Sequence, residues 1–81
     1  MTADELFKEL GYIKRENKKT GYVEYNQENK KTGETCTISF EPQAKTIMCS
    51  LYIKGFIMSR SLAFNIDELK AINKKVEELG W

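Results

Sequence analysis

Thr35-Cys36-Thr37-Ile38-Ser39-Phe40-Glu41, then Pro42-Gln43-Ala44-Lys45, then Thr46-Ile47-Met48-Cys49-Ser50-Leu51-Tyr52-Ile53 is the stretch that decides the fold. Cys36, Ile38 and Phe40 alternate with hydroxyl and acidic residues. After the turn, Ile47, Cys49, Leu51 and Ile53 alternate with Thr46, Met48, Ser50 and Tyr52. A period of two, interrupted once by a proline that presets φ for a tight turn, predicts a β-hairpin with one buried face.

Working toward the N-terminus, Glu-Asn-Lys-Lys-Thr-Gly occurs twice, at 16–21 and 28–33. Two copies of so short a unit do not make a solenoid. They read as one turn solution used twice: Asn opens the turn, the lysines form the tip and Gly supplies a left-handed position. With an Asn-Lys-Lys-Thr tip in each, strands fall at about 12–16 and 22–28 and join 35–41 and 46–53 in a four-stranded antiparallel meander. Burial of the apolar alternation sets the register. Val23 and Tyr25 then share a face with Cys36 and Ile38, and Tyr12 joins them. Ile13, Arg15, Tyr22, Glu24, Thr37, Ser39, Met48, Ser50 and Tyr52 occupy the other face.

A helix is expected at each end. Thr2 and Glu5 form a capping box ahead of Leu6, Phe7 and Leu10, and Gly11 closes a helix over about 3–10. Asn65 and Glu68 form a second capping box, with Phe64 and Leu69 at staple positions. Ile66, Leu69, Ile72, Val76 and Leu79 make an apolar stripe expected to face the sheet. Gly80 ends the helix, with Trp81 folding back on its last turn. Phe56-Ile57-Met58 reads as an edge strand or as a loop covering the core, and Ser59-Arg60-Ser61 as exposed connection. The expectation is therefore one α+β domain over residues 1–81: a short helix, four antiparallel strands and a helix, both helices on one sheet face.

Composition narrows the function. The chain has 81 residues, 41% hydrophobic and 31% charged, with a net charge of +1. It has no histidine and only two cysteines. The commonest general base and metal ligand is therefore missing, and two thiols make neither a zinc site nor a secreted disulfide scaffold. Cys36 and Cys49 fall on the buried face and read as small core residues. No glycine-rich phosphate loop is present. The expectation is a protein without enzymatic activity, metal or cofactor. An acidic helical start in place of a signal sequence, and no long apolar run, predict a cytoplasmic chain without membrane contact.

Lys18-Lys19 and Lys30-Lys31 suggest a nucleic-acid patch. Successive turns of a meander lie at opposite ends of the sheet, however, separating the pairs by roughly 17–20 Å. The element order resembles double-stranded-RNA-binding domains in topology alone. The second helix here starts Ile66-Asp67-Glu68, acidic, and no His-containing loop is present. The open sheet face is the better candidate. Tyr22, Met48 and Tyr52, with Arg15 and Glu24, suit protein contact, and the aromatics also suit base stacking as a nucleic-acid alternative. Self-association through that face or an edge strand, giving a homodimer, is a third option.

The two ends carry a resemblance. Asp4-Glu5-Leu6-Phe7-Lys8-Glu9-Leu10-Gly11-Tyr12, Glu68-Leu69-Lys70-Ala71-Ile72-Asn73 and the closing Glu77-Glu78-Leu79-Gly80-Trp81 resemble small proteins encoded by phages and prophages of Gram-positive bacteria. The resemblance implies a small non-enzymatic accessory protein in the host cytoplasm. It would bind a host or phage macromolecule, with inhibition as one form of that interaction.

Overall fold

Cross-strand pairing organises the chain as the alternation predicts. The computed structural model describes residues 1–31, 33–53, 56–58 and 64–81. Its elements in chain order are α1 (Ala3–Glu9), β1 (Ile13–Asn17), β2 (Tyr22–Asn29), β3 (Glu34–Glu41), β4 (Thr46–Ile53), β5 (Phe56–Met58) and α2 (Ile66–Leu79). The strands form one antiparallel sheet in the order β1-β2-β3-β4-β5. The expected four-stranded meander is present, and Phe56–Met58 extends it at one edge by pairing with β4. The connection expected at Ser59-Arg60-Ser61 lies outside the described residues.

The repeated segments build matching turns. In the first, the Gly21 N–H donates to the Asn17 carbonyl (2.8 Å) and the Lys19 N–H to Asn17 Oδ1 (3.0 Å). In the second, Gly33 and Lys31 make the same bonds to Asn29 at the same distances. Thr32, in the second turn, lies outside the described residues. Asn17 pairs with Tyr22, so the first tip is Lys18–Gly21, one residue later than the spacing suggested. The Asn side chain explains the shift: it caps the turn from the last strand position. Moving both ends of the tip by one residue preserves parity, so every side chain keeps its expected face.

Both helices lie on the face carrying Tyr12, Val23, Tyr25, Ile38 and Phe40, which with Phe7, Ala71 and Ile72 form the core. Phe7 of α1 stacks on Tyr25 of β2, centroids 3.9 Å apart. Edge contacts extend this cluster to Tyr12 and Phe40, and Trp81 meets Phe40 at 6.3 Å. Both expected capping boxes form, and Gly80 closes α2 at φ 74°. The Trp81 N–H returns to the Val76 carbonyl (3.1 Å).

The helices run antiparallel. The Ala3 N–H at the start of α1 donates to Glu78 near the end of α2 (2.8 Å), and a cleft at the other end is lined by Leu6, Leu10, Asp67 and Lys70. This arrangement corrects one end of the expected core stripe of α2: Ile72, Val76 and Leu79 pack into the core as expected, but Ile66 and Leu69 do not. Ala71, Ile72 and Lys75 are buried, whereas Ile66 is 66% and Leu69 45% exposed. The cause is tertiary. Glu68 accepts a hydrogen bond from the Tyr12 hydroxyl and Lys75 lies over the Tyr25 ring, a roll that leaves Ile66 outward. Lys75 is only 8% exposed, its aliphatic stem covered and its Nζ 5.9 Å above the Tyr25 ring.

Two first-turn carboxylates tie the helices to the sheet. Glu68 accepts the Tyr12 hydroxyl at 2.6 Å. Asp4 accepts the Tyr25 hydroxyl (2.6 Å) and the Lys14 ammonium (2.8 Å). Partial burial raises the Asp4 pKa, but the bonds from Lys14 and Tyr25 and the nearby cations outweigh it, so the carboxyl sits below its ordinary value.

A depressed carboxylate stabilises the fold above its unfolded pKa, about 3.9, and that stabilisation is lost as pH falls through the lower folded value. Tyr25→Phe is expected to cost about 1 kcal/mol at pH 7, and the difference from the parent protein should shrink below about pH 4. Urea unfolding at several pH values checks this; a pH-independent difference would contradict the linkage.

Glycine substitutions separate conformation from contact. Gly21 and Gly80 have similar φ, 78° and 74°, but a Cβ at Gly21 would lie 3.1 Å from Pro42 Cγ whereas one at Gly80 meets nothing within 4 Å. Gly80→Ala should cost about 1–2 kcal/mol for the left-handed backbone alone. Gly21→Ala should cost more, and the excess should vanish in a Pro42→Ala background, measured as a double-mutant cycle of unfolding free energies.

Candidate binding face

The meander leaves the second sheet face clear of both helices, and the register orders its residues into cross-strand rows. Arg15, Glu24, Ser39 and Met48 form one row. Ile13, Asn26, Thr37 and Ser50 form the next. Three of the five candidate residues, Arg15, Glu24 and Met48, therefore stand in a single line. Tyr22 joins them through a hydrogen bond from its hydroxyl to Glu24 (3.0 Å). Tyr52 stands four residues beyond Met48 on β4, roughly 14 Å along the strand, and pairs with Thr35.

Side-chain hydrogen bonds stiffen the centre of this face. Asn26 donates to Glu24 (3.4 Å), and Thr37 donates to Asn26 Oδ1 (2.6 Å). Ser39, itself buried, donates to the Met48 carbonyl (3.4 Å). Partial burial raises the Tyr22 pKa; a bond with Ser39 opposes this, and the hydrogen bond to Glu24 with its nearby charge reinforces it. The phenol is thus held neutral, as a donor. The sequence placed Thr37 and Ser39 on this face but did not mark the Glu24–Asn26–Thr37 chain. Its one signal was the polar alternation at 24, 26 and 37, 39.

Large apolar groups project from the same face. Met48 is 64% exposed and Ile13 72%. Ile13 was expected on this face but outside the candidate site; its exposure beside the Arg15 row adds it. Arg15 lies in the fully exposed strand β1. It is cross-strand from Glu24, yet that carboxylate is engaged by Tyr22 and Asn26. Among the described residues no ion pair holds Arg15.

The opposite face carries the groups a catalyst would need, with their reactivity damped. Cys36 and Cys49 are free and half-buried, and burial raises both thiols. They are not directly opposed: Cys36 pairs with Leu51 and Cys49 with Ile38. Burial, then the bonds to Glu68 and Asp4, push the Tyr12 and Tyr25 phenols far above their ordinary value. The two phenols donate hydrogen bonds, Tyr12 to Glu68 and to Cys36 Sγ and Tyr25 to Asp4. Among the described residues no cluster of three or more His, Cys, Asp or Glu side chains could hold a metal ion, and no helix is long and apolar enough to cross a membrane.

No protein-family model, curated protein or solved structure matches this chain.

The raised thiols make a kinetic prediction. At pH 8 both cysteines of the folded protein should react with an aromatic disulfide reagent at least about tenfold more slowly than in the urea-unfolded chain. Equal rates would show that burial does not protect them.

Proposed function

We propose that this chain is a small, non-enzymatic, phage-type accessory protein that acts in the cytoplasm by binding a protein partner through its open sheet face. The observation that carries the reading is the pairing of two helices on one face with an opposite face bearing Tyr22, Tyr52, Met48, Ile13 and Arg15 on a hydrogen-bonded platform. Tyr, Met and Arg are the residues enriched at protein interfaces, where they combine large contact area with directional polar groups. A stiff platform also lowers the ordering cost of association. The phage-type setting rests on the resemblance of the two chain ends, and the non-enzymatic reading on the absence of histidine together with thiols and phenols shifted away from reactivity. The nucleic-acid alternative lacks a continuous basic track, because the two lysine pairs cap opposite ends of the sheet.

Tyr22→Ala with Tyr52→Ala should leave far-UV circular dichroism and cooperative melting intact. It should weaken capture of the partner from nuclease-treated bacterial lysate at least about thirtyfold, from about 1 kcal/mol or more per aromatic anchor. Undiminished capture by the double variant would remove the open face from the interaction. Loss of all captured material on nuclease treatment of the parent protein would put nucleic acid in the partner's place.

A further inference from the structure

We propose that the partner presents an acidic segment, which docks at the end of the open face that carries Arg15, Lys18, Lys19, Lys45 and Tyr22. The inference rests on the sheet-face reading and specifies the chemistry of its partner. In the meander the β1–β2 and β3–β4 connections lie at the same end of the sheet, and Gly21 of one packs against Pro42 of the other. Lys18 and Lys19 of the first loop and Lys45 of the second thus stand at the same end of the sheet, and all three are exposed. Arg15 and Tyr22 flank the first loop and line one concavity of about 300 Å³ with Glu16, Asn17 and Glu24.

Cations and carboxylates at this end are used differently. Glu24 accepts from Tyr22 and Asn26, Glu41 accepts the Gln43 N–H (2.9 Å), and Glu16 lies 4.0 Å from Lys14. Among the described residues none of the four cations has an ion-pair partner. Glu24 and Glu41 are thus engaged by hydrogen bonds, and the four cations are left to meet a negative surface. Arg15 supplies a planar fork suited to bidentate carboxylate binding, and Tyr22 gives its edge an aromatic wall. Lys45 also holds a left-handed backbone, φ 52°, at a turn position where Gly fits with less strain.

The arrangement favours an acidic polypeptide over a phosphate chain. Lys30 and Lys31 stand at the far end of β2, and the rows between carry Asn26, Thr37 and Ser50 with the anionic Glu24. A nucleic-acid backbone would cross this uncharged and acidic middle without contacts to gain.

Titration of the ¹⁵N-labelled full chain with a decaglutamate peptide at low salt tests the proposal. Amide shifts should concentrate at residues 15, 18, 19, 22 and 45, and fade as salt screens the contact. Arg15→Glu with Lys19→Glu should weaken binding at least about tenfold, whereas Lys30→Glu with Lys31→Glu should not. Equal shifts at both lysine loops, or none, would overturn the acidic-partner inference. Tighter binding of a charge-matched oligo(dT) at the same residues would overturn it in favour of nucleic acid. If the peptide is inert while the Tyr22/Tyr52 variant still loses its lysate partner, the sheet-face reading stands and only the acidic chemistry falls. If the Tyr22/Tyr52 variant keeps its partner, both fall together.

Discussion

The stack of Phe7 on Tyr25, ring centroids 3.9 Å apart and planes 15° from parallel, is the contact on which the rest of the structure depends. A seven-residue helix has no stability of its own in water. Phe7 makes α1 part of the fold by burying its ring completely against the sheet, a gain of about 1.5–3 kcal/mol. Tyr25 in turn meets Phe40 edge-on, and Phe40 meets Trp81 beyond the end of α2. One chain of aromatic contacts thus joins both helices to strands β2 and β3. In a domain of this size, where only about 60% of the unfolded surface is buried, a continuous cluster is a more efficient core than scattered aliphatic pairs.

Polar linkages orient what the aromatic cluster holds. Asp4 and Glu68 lie in the first turns of their helices, where the dipole favours negative charge. Each also receives a buried tyrosine hydroxyl, at 2.6 Å in both cases. Glu68 uses its other oxygen to complete the capping box with the Asn65 N–H (3.0 Å). A single carboxylate therefore starts the helix and fixes its roll against the sheet. That roll decides which residues of α2 are core: Lys75 turns inward over Tyr25, and Ile66 turns outward.

Concentrating both helices on one side leaves the other side of the sheet as a presenting surface. Its middle is stiffened by the Tyr22–Glu24–Asn26–Thr37 chain, and its projecting groups are long, apolar or cationic. The division of labour is chemical. Tyrosines and cysteines on the covered face are shifted away from ionisation by burial, whereas Arg15 and the loop lysines stand exposed at one end of the open face.

The sequence by itself determined the features set by neighbours along the chain. Both capping boxes, Gly80 as the helix stop, the strand alternation and the repeated Asn-Lys-Lys-Thr-Gly turn all follow from interactions within a few residues. Face assignment was equally legible, because period-two parity survives a tip displaced by one residue. The five candidate residues accordingly all fall on the open face. Only the tertiary structure decided the roll of α2, the pairing of Phe56–Met58 at the sheet edge and the engagement of Glu24 by Tyr22 and Asn26 in place of Arg15. It also decided that Lys45 shares an end with Lys18 and Lys19. These depend on groups far apart in sequence competing for the same partners, and an alternation or a cap carries no record of which partner wins.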